Sequence, residues 1–457
     1  MVGTKSKEKR QFWWLNWSPM LTFSIVFILI FVLSYLRLDP DFGWHLAAGD
    51  YFLHHGIPKT DIFTYTAADF PWVDHEWLSD CLLFLLHSIG GYTLLAAVYA
   101  ALWTLSFFII GRRVYGPLVL LGTIAVLPFA GVRAVTWTVL GVVLVYIIVK
   151  TSNKQWRFLL PLLFLLWANI HGGFAIGLAL IAYWTISERS KRLLVLLILS
   201  FAVTFINPYG IDLYVEIFRT TFDGSLRWVI SEWVPIGSVW QTLCYVAIWA
   251  AGFLLLLGKK WRSYLQVDFL LFLAAMSSIR HYPLFIVLSL PFTAKYIKHF
   301  LTKIPRQLDL PKRKVIWLII GIISLISAWS LYDIYNGPLD REEAYPRSAV
   351  AYLTAHPCSG NLFNTYESGG YFIWKLPTQK VYIDGRMPSW EGNGHKYMTD
   401  YLKILNDSVF RNEQFRTYNI TCALVAHDDR IIGVPYQLKK SGWKVVSDAN
   451  GYVLLEK

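Results

Sequence analysis

The chain has 457 residues, 55% of them hydrophobic, 17% aromatic and only 16% charged, whereas a soluble domain is nearer one quarter charged. A purely soluble protein is therefore excluded. The net charge of +12 does not point to nucleic acid, because the Lys and Arg residues sit in short clusters between apolar runs and no basic patch carries a nucleic-acid motif.

Residues 1–18 form a basic N-terminus with Lys5, Lys7, Lys9 and Arg10. Pro19–Leu36 is the first apolar run, and no small-x-small cleavage site follows it, so it reads as a retained span rather than a signal peptide. The outer loop 37–91 opens with Asp39-Pro40-Asp41-Phe42-Gly43-Trp44-His45. Pro40 biases Asp39 toward extended backbone, where residues two apart point the same way, so both carboxylates can face one cavity. His45 comes within reach if the chain turns helical after Gly43. Two carboxylates and an imidazole can take a proton from a hydroxyl or hold a divalent cation.

A second polar segment, Pro71-Trp72-Val73-Asp74-His75-Glu76-Trp77-Leu78, admits two readings. Asp74 can cap a helix with Trp72 and Trp77 at the headgroups, or His75 and Glu76 can form a second wall of the same cavity. The stretch Glu76–Ile89 ends at Gly90-Gly91 and reads as a helix along the outer membrane surface, since counting it as a span would invert the charge pattern downstream.

Further spans are expected at Tyr92–Gly111, Tyr115–Gly131, Ala134–Val149, Arg157–Ile170, Gly173–Ser187, Leu193–Asn207, Val239–Leu257, Tyr264–Ile279, Tyr282–Lys298 and Lys314–Tyr332, about eleven with the first. With the N-terminus in the cytoplasm, Lys and Arg before the tail fall 22 inside to 6 outside, the bias that fixes orientation. Arg133, Asn169, His171, Asn207, Glu232, Arg280 and His281 then join the first-loop acids at the outer ends of spans, a one-sided cluster that suggests a polar cavity. Arg133, Arg280 and His281 are its cations. An arginine fork suits a phosphate or pyrophosphate oxygen pair; salt bridges to Asp39 or Glu232 are the alternative.

From 336 to 457 the composition becomes that of a soluble α/β domain. Lys380–Ile383, Cys422–Ala426, Lys444–Ser447 and Tyr452–Glu456 read as strands, and Ala344–Ala355 and Lys396–Leu405 as helices, so a small mixed sheet is expected. Cys358 and Cys422 both fall in this outer domain, where oxidation can pair them. Ser368-Gly369-Gly370-Tyr371 and Asp384-Gly385-Arg386 lack the Lys and Ser/Thr of a P-loop and read as tight turns.

Together, Asp39 to His45, Trp72 to Leu78, Trp167-Ala168-Asn169-Ile170-His171-Gly172-Gly173, Asn207-Pro208-Tyr209-Gly210, Glu232-Trp233, Arg280-His281, Asn364-x-Tyr366-x-Ser368-Gly369-Gly370-Tyr371 and Tyr382-Ile383-Asp384-Gly385-Arg386 resemble the segments of a family of bacterial and archaeal multi-span membrane proteins grouped with the GT-C glycosyltransferases. The resemblance implies a GT-C-like helical membrane domain over 19–335, an extracytoplasmic α/β domain, and an activity in the cell envelope. It implies a polyprenyl-phosphate-linked sugar donor, an acceptor that is a glycan, lipid or protein, and inverting transfer. Asp41, with Asp39 as the second choice, would be the general base. The lipid phosphate would be held by Arg280, His281 or Arg133. His45, His75, Glu76, Asn169, His171, Asn207 and Glu232 would line the substrate cavity, with Asp384 and Arg386 on its acceptor side. No cofactor is required by the resemblance, though Asp39, Asp41 and His45 would be the ligands if a divalent cation is used. A flippase for lipid-linked saccharides is the alternative function, and a non-catalytic scaffold a third.

Overall fold

The computed structural model describes residues 18–224, 230, 233–234, 243–257, 266–303, 321, 323–332, 335, 340–392, 394–427 and 433–457. The basic N-terminus, Arg227, Glu232, the cluster Lys259, Lys260 and Arg262, and the first part of the expected last span lie outside the described residues.

The apolar runs form helices close to where hydropathy puts them. In chain order these are α1 (Pro19–Leu36), α2 (Phe42–His55), α3 (Trp77–Gly111), α4 (Gly116–Val126), α5 (Val135–Lys150), α6 (Leu160–Ile170), α7 (Phe174–Glu188) and α8 (Lys191–Val203). There follow α9 (Asp212–Phe222), α10 (Leu243–Leu257), α11 (Val267–Ser277), α12 (Tyr282–Lys303) and α13 (Ile323–Tyr332). Among the described residues, α1 and α3 are both long and apolar enough to cross a membrane; of the others, α12 has the length, with 22 residues, but not the composition. Trp103, Phe107, Trp184, Trp249 and Phe285 are buried in their shared core. Asp268 of α11, also buried, accepts from Trp249 Nε1 at 3.1 Å and Tyr296 Oη at 2.9 Å, tying α10 and α12 to α11.

α3 is two helices end to end. Gly90 (φ −142°, ψ 18°) and Gly91 (φ 62°, ψ −164°) break it, and Gly91 adopts a left-handed backbone that costs glycine little. The segment before the break, expected as a surface helix, lies against α2, where a Cβ on Gly49 would overlap the Asp80 carbonyl.

The C-terminal sheet has the order β1-β4-β6-β5. β1 (Asn361–Phe363) runs parallel to β4 (Ile420–Ala426), while β6 (Tyr452–Glu456) is antiparallel to both β4 and β5 (Lys444–Ala449). A small hairpin, β2 (Glu391–Gly392) and β3 (His395–Lys396), stands apart. α14 (Arg347–Ala355), α15 (Gly369–Lys375), α16 (Tyr397–Asn406), α17 (Ser408–Thr417) and α18 (Gly433–Lys440) complete the domain. Cys358 and Cys422 are disulfide-bonded, with Cα atoms 5.9 Å apart.

Two expectations need correction. Lys380–Ile383 is not a strand of the sheet: Val381 forms a single parallel bridge to Thr64 of the first outer loop, with Val381 N donating to Phe63 O at 3.0 Å. Its backbone partner is thus the outer loop. Ser368-Gly369-Gly370-Tyr371 is not a turn but the start of α15. A Cβ on Gly43 would overlap the Gly370 carbonyl, and one on Gly370 would come within 2.5 Å of Pro40 O. These glycines are there to let α2 and α15 touch backbone to backbone.

The composition boundary near 336 is likewise not a packing boundary. Trp44, Phe52, Phe70 and Trp72 share one core with Leu362, Phe363, Tyr382 and Trp390, so the first outer loop and the tail fold as a unit.

Gly43→Ala, which sets a methyl group against that carbonyl, is expected to cost about 1–3 kcal/mol, read as a lower unfolding temperature of the full chain in detergent. Non-reducing mass spectrometry is expected to recover the peptides of Cys358 and Cys422 joined; two free thiols would contradict the bridge.

Candidate functional site

Asp41 stands at the N-terminal end of α2 with helical angles (φ −85°, ψ −13°), so the Pro40 segment is a turn and not the extended strand its sequence suggests. Asp39 Oδ1 accepts from Asp41 N at 2.9 Å, and Asp41 Oδ1 accepts from Trp44 Nε1 at 3.0 Å. Asp39 is also ion-paired with Arg133. From the other side a Cβ on Gly385 would overlap Asp41 Oδ1, so the Asp384-Gly385-Arg386 turn is pressed against the carboxylate.

One helical turn along α2, His45 joins the second polar segment. Its Nδ1 lies 2.7 Å from Asp80 Oδ1, and its Nε2 is 3.7 Å from Glu76 Oε2. Glu76 Oε1 is 3.1 Å from His75 Nε2 and 3.6 Å from His171 Nε2. The other nitrogen of His171 meets Thr138 Oγ1 at 2.5 Å. Asp74 accepts from Glu76 N at 2.9 Å. Burial pushes the Asp80 carboxyl well above the usual carboxylate range, and the charges of Asp74 and Glu76 push the same way. Asp74 is raised for the same first reason. Burial opposes ionisation of Glu76 too, but the hydrogen bond from His75 and the charges of His171, His75 and His45 overcome it and hold this carboxyl below its ordinary range. Burial takes the His171 imidazole down to about 4.

His45, Glu76 and Asp80 each offer a ligand atom, all within 4.8 Å of one another. Among the described residues, no hydroxyl, amide or guanidinium reaches Asp74 Oδ2, Glu76 Oε2 or Asp80 Oδ2, all buried. Carboxylates packed this way are held together by a shared proton or by a cation. The trio fits a divalent ion, and of the set expected from sequence it retains only His45.

Two cavities meet here. The smaller, about 260 Å³, is lined by Asp39, Asp41, His45, Glu76, Arg133 and Arg280 among others. The larger, about 1080 Å³, lies between the helical part and the C-terminal domain. Asp41, His45, Glu76 and Arg133 belong to both walls. His171 lines the smaller cavity and His75 the larger. Arg280 lies over the Trp233 ring at 4.4 Å.

Other residues expected in the site serve the scaffold. Asn169 accepts from Trp77 Nε1 at 3.1 Å and donates to Leu165 O and Ile206 O. Asn207 closes its own turn by accepting from Tyr209 N and donating to Thr204 O. His281 Nδ1 lies 3.2 Å from Ala274 O, and the residue is absent from both cavity walls. Arg386 reaches the larger cavity but is committed: Asp384 takes its Nε and one terminal nitrogen at 2.9 and 2.7 Å, and Asp61 takes the other at 2.8 Å. Asp384 is buried beneath it.

Sequence reasoning missed Asp80, Glu216 and the cavity aromatics Tyr366, Trp390 and Tyr401. Asp80 was readable as the residue one turn after Glu76, and Glu216 as the buried-face acid of an amphipathic run.

The helical bundle, the first-loop acids beneath a C-terminal domain and the cavity between them make up a GT-C-like fold. Two solved structures of the Archaeoglobus fulgidus oligosaccharyltransferase AglB share it. In the apo form the TM-score is 0.55 at 12% identity, covering 91% of this chain and 70% of that one. In the complex with an inhibitory peptide and a dolichol-phosphate it is 0.57 at 12% identity, covering 92% and 70%. The arabinofuranosyltransferase AftD from Mycobacteria matches at 0.51 and 13% identity over 98% of this chain and 40% of its own length. These neighbours are GT-C membrane glycosyltransferases, and at such identities the likeness is one of fold. No protein-family model matches the chain, and no curated protein matches its sequence.

If His45, Glu76 and Asp80 bind a cation, Mn²⁺ at a hundredfold excess over its Kd stabilises the full chain by about 2.7 kcal/mol. Asp80→Asn is expected to abolish that rise in unfolding temperature and Asp39→Asn to keep it; the reverse pattern returns the ligands to the Asp39 and Asp41 set.

Proposed function

We propose that the chain is a membrane glycosyltransferase that moves a sugar, with inversion, from a polyprenyl-phosphate-linked donor to an acceptor hydroxyl on the extracytoplasmic face. In this reading the N-terminus is cytoplasmic, about eleven helices span the membrane, and the tail domain is extracytoplasmic. The observation that carries it is the position of Asp41 where the two cavities meet.

The smaller cavity suits the phosphate end of the donor. Arg133 and Arg280 line it, and guanidinium forks match phosphate oxygens. The larger cavity suits an acceptor. Trp44, Trp72, Trp233, Tyr366 and Trp390 line it, giving flat apolar faces with polar rims, while Asp74, Glu76, Glu216 and Glu367 make it acidic. Arg133 and Arg386 in its wall are ion-paired to carboxylates. The acceptor that fits is a neutral or cationic glycan, not an anionic one.

Asp41 touches both cavities, whereas Asp39 lines only the smaller and is paired with Arg133. Asp41 therefore takes the acceptor proton while the hydroxyl oxygen attacks the anomeric carbon. The bond to the phosphate oxygen breaks, and Arg133 and Arg280 stabilise the departing phosphate. A cation held by His45, Glu76 and Asp80 would supply further positive charge beside that leaving group. Asp39 positions Asp41 through the accepted backbone N–H. The flippase alternative draws less support, since the charged cluster gathers beside the C-terminal domain rather than at a midplane between related halves.

Transfer of labelled sugar from a panel of polyprenyl-phosphate donors in proteoliposomes tests the reading. Asp41→Asn is expected to lower transfer by roughly 10²–10⁴-fold, and Asp39→Asn by less. Undiminished transfer by the double variant would overturn the mechanism, and movement of a lipid-linked saccharide between leaflets without transfer would favour the flippase.

A further inference from the structure

α9 presents opposite faces to opposite surroundings. Ile211, just before it, and Val215, Phe218 and Phe222 recur at i, i+4, i+7 and i+11 and are exposed by 56–70%, one apolar stripe on a helical wheel. On the far side Leu213 and Glu216 are buried, and Glu216 and Thr220 line the larger cavity. The helix is anchored at both ends. Tyr214 stacks on Phe205 at 4.9 Å between ring centroids and hydrogen-bonds Thr204. At the other end Lys396 Nζ lies 3.0 Å from an Asp223 carboxylate oxygen, and the Thr220 and Ser389 hydroxyls are 3.4 Å apart.

Eleven residues span only about 16 Å as a helix, roughly half of what a crossing needs. The stripe is also not isolated. The outward side of α8 exposes Val195, Ile198, Leu199 and Phe201, and Ile206 continues it into the turn before α9. In the multi-pass reading proposed above that side of α8 faces lipid, and exposed apolar residues continue from it through Ile206 to the stripe. A groove of about 660 Å³ lies alongside, walled by Val215, Phe218 and Phe222 together with Arg219 and Asp223 on one side and by Ser389, Glu391 and Lys396 on the other.

We propose that α9 is an interfacial helix. Its stripe sits at the boundary of headgroups and acyl chains in the leaflet on the side of the C-terminal domain, and its inner face is the membrane-side wall of the larger cavity. Headgroups of that leaflet occupy the adjacent groove beside Arg219, Glu391 and Lys396, so the cavity's edge opens onto the lipid layer instead of onto water. The assignment holds whatever reaction the cavity supports.

The test uses the full chain in phosphatidylcholine–phosphatidylglycerol nanodiscs, with a polarity-sensitive fluorophore on Phe218→Cys or Phe222→Cys and on Ser441→Cys as the water-facing reference; Cys81 and Cys244 are buried. Blue-shifted emission at 218 and 222 that shallow doxyl lipids quench and iodide does not is the expected result. Emission like that at 441 would overturn the proposal. Apolar emission without quenching by lipid would overturn it as well, showing a protein surface on the stripe, a second copy included. A photoactivatable lipid incubated with the unmodified chain gives an independent readout: adducts on 211–222 support the assignment, and labelling confined to other helices refutes it.

Discussion

Arg386 is a guanidinium taken almost wholly out of water, and its partners come from two distant parts of the chain. Asp384 grips it from its own turn, Asp61 from the first outer loop, and it lies over the rings of Trp72 and Trp390 at 4.5 and 5.2 Å. A planar fork can satisfy two carboxylates at once where an ammonium cannot. Losing one partner strands a buried charge at a cost of about 3–5 kcal/mol. The consequence reaches the site one residue away, where Gly385 rests on Asp41. The Thr64–Val381 bridge, the Tyr65 hydroxyl on Leu362 O and the Thr66 hydroxyl on Tyr382 O run along the same seam. The tail thereby fixes the geometry of a carboxylate some three hundred positions earlier in the chain.

The two acids of the first loop are consequently unequal despite their symmetric spacing. Asp39 gives one oxygen to Asp41 N and the other to Arg133, which satisfies the start of α2 and holds the arginine at the cavity wall. Asp41 keeps its place through Trp44 and through the absence of a side chain at 385. The base proposed for this site needs a fixed position and access to the reacting groups together; for Asp41 the hydrogen bond to Asp39 and the close approach of Gly385 bear on the first, and its place in both cavity walls on the second.

What could be read from the sequence was what depends on local pattern. Apolar run length gave most helices, the Gly90-Gly91 pair gave the break in α3, and β-branched runs gave β4, β5 and β6. What could not be read depends on contacts between distant segments. Lys380–Ile383 looks like a sheet strand until its backbone partner proves to be the outer loop, and Gly369-Gly370 looks like a turn until α2 packs against it. Asn169 and Asn207 sit in segments that suggest a site, yet the Asn169 amide ties Trp77 and Ile206 to its helix and the Asn207 amide closes its own turn, a distinction that composition and spacing do not carry. Arg386 is the sharpest case: its motif suggested a substrate contact, and its two hydrogen bonds to Asp384 with the ion pair to Asp61 make it a clamp.

The acid cluster behind Asp41 follows a different logic from the clamp. Arg386 is ion-paired with two carboxylates, whereas Asp74, Glu76 and Asp80 crowd three carboxyls together with oxygens that no hydrogen-bond donor among the described residues reaches, and the imidazoles answer only part of that charge. Burial pushes the Asp80 carboxyl up and the histidines hold that of Glu76 down, so neighbouring acids of the cluster are driven apart in their affinity for a proton. A divalent cation held by His45, Glu76 and Asp80 would relieve the repulsion among these carboxyls. The clamp is built to stay closed, and the cluster beside it is left able to change its charge.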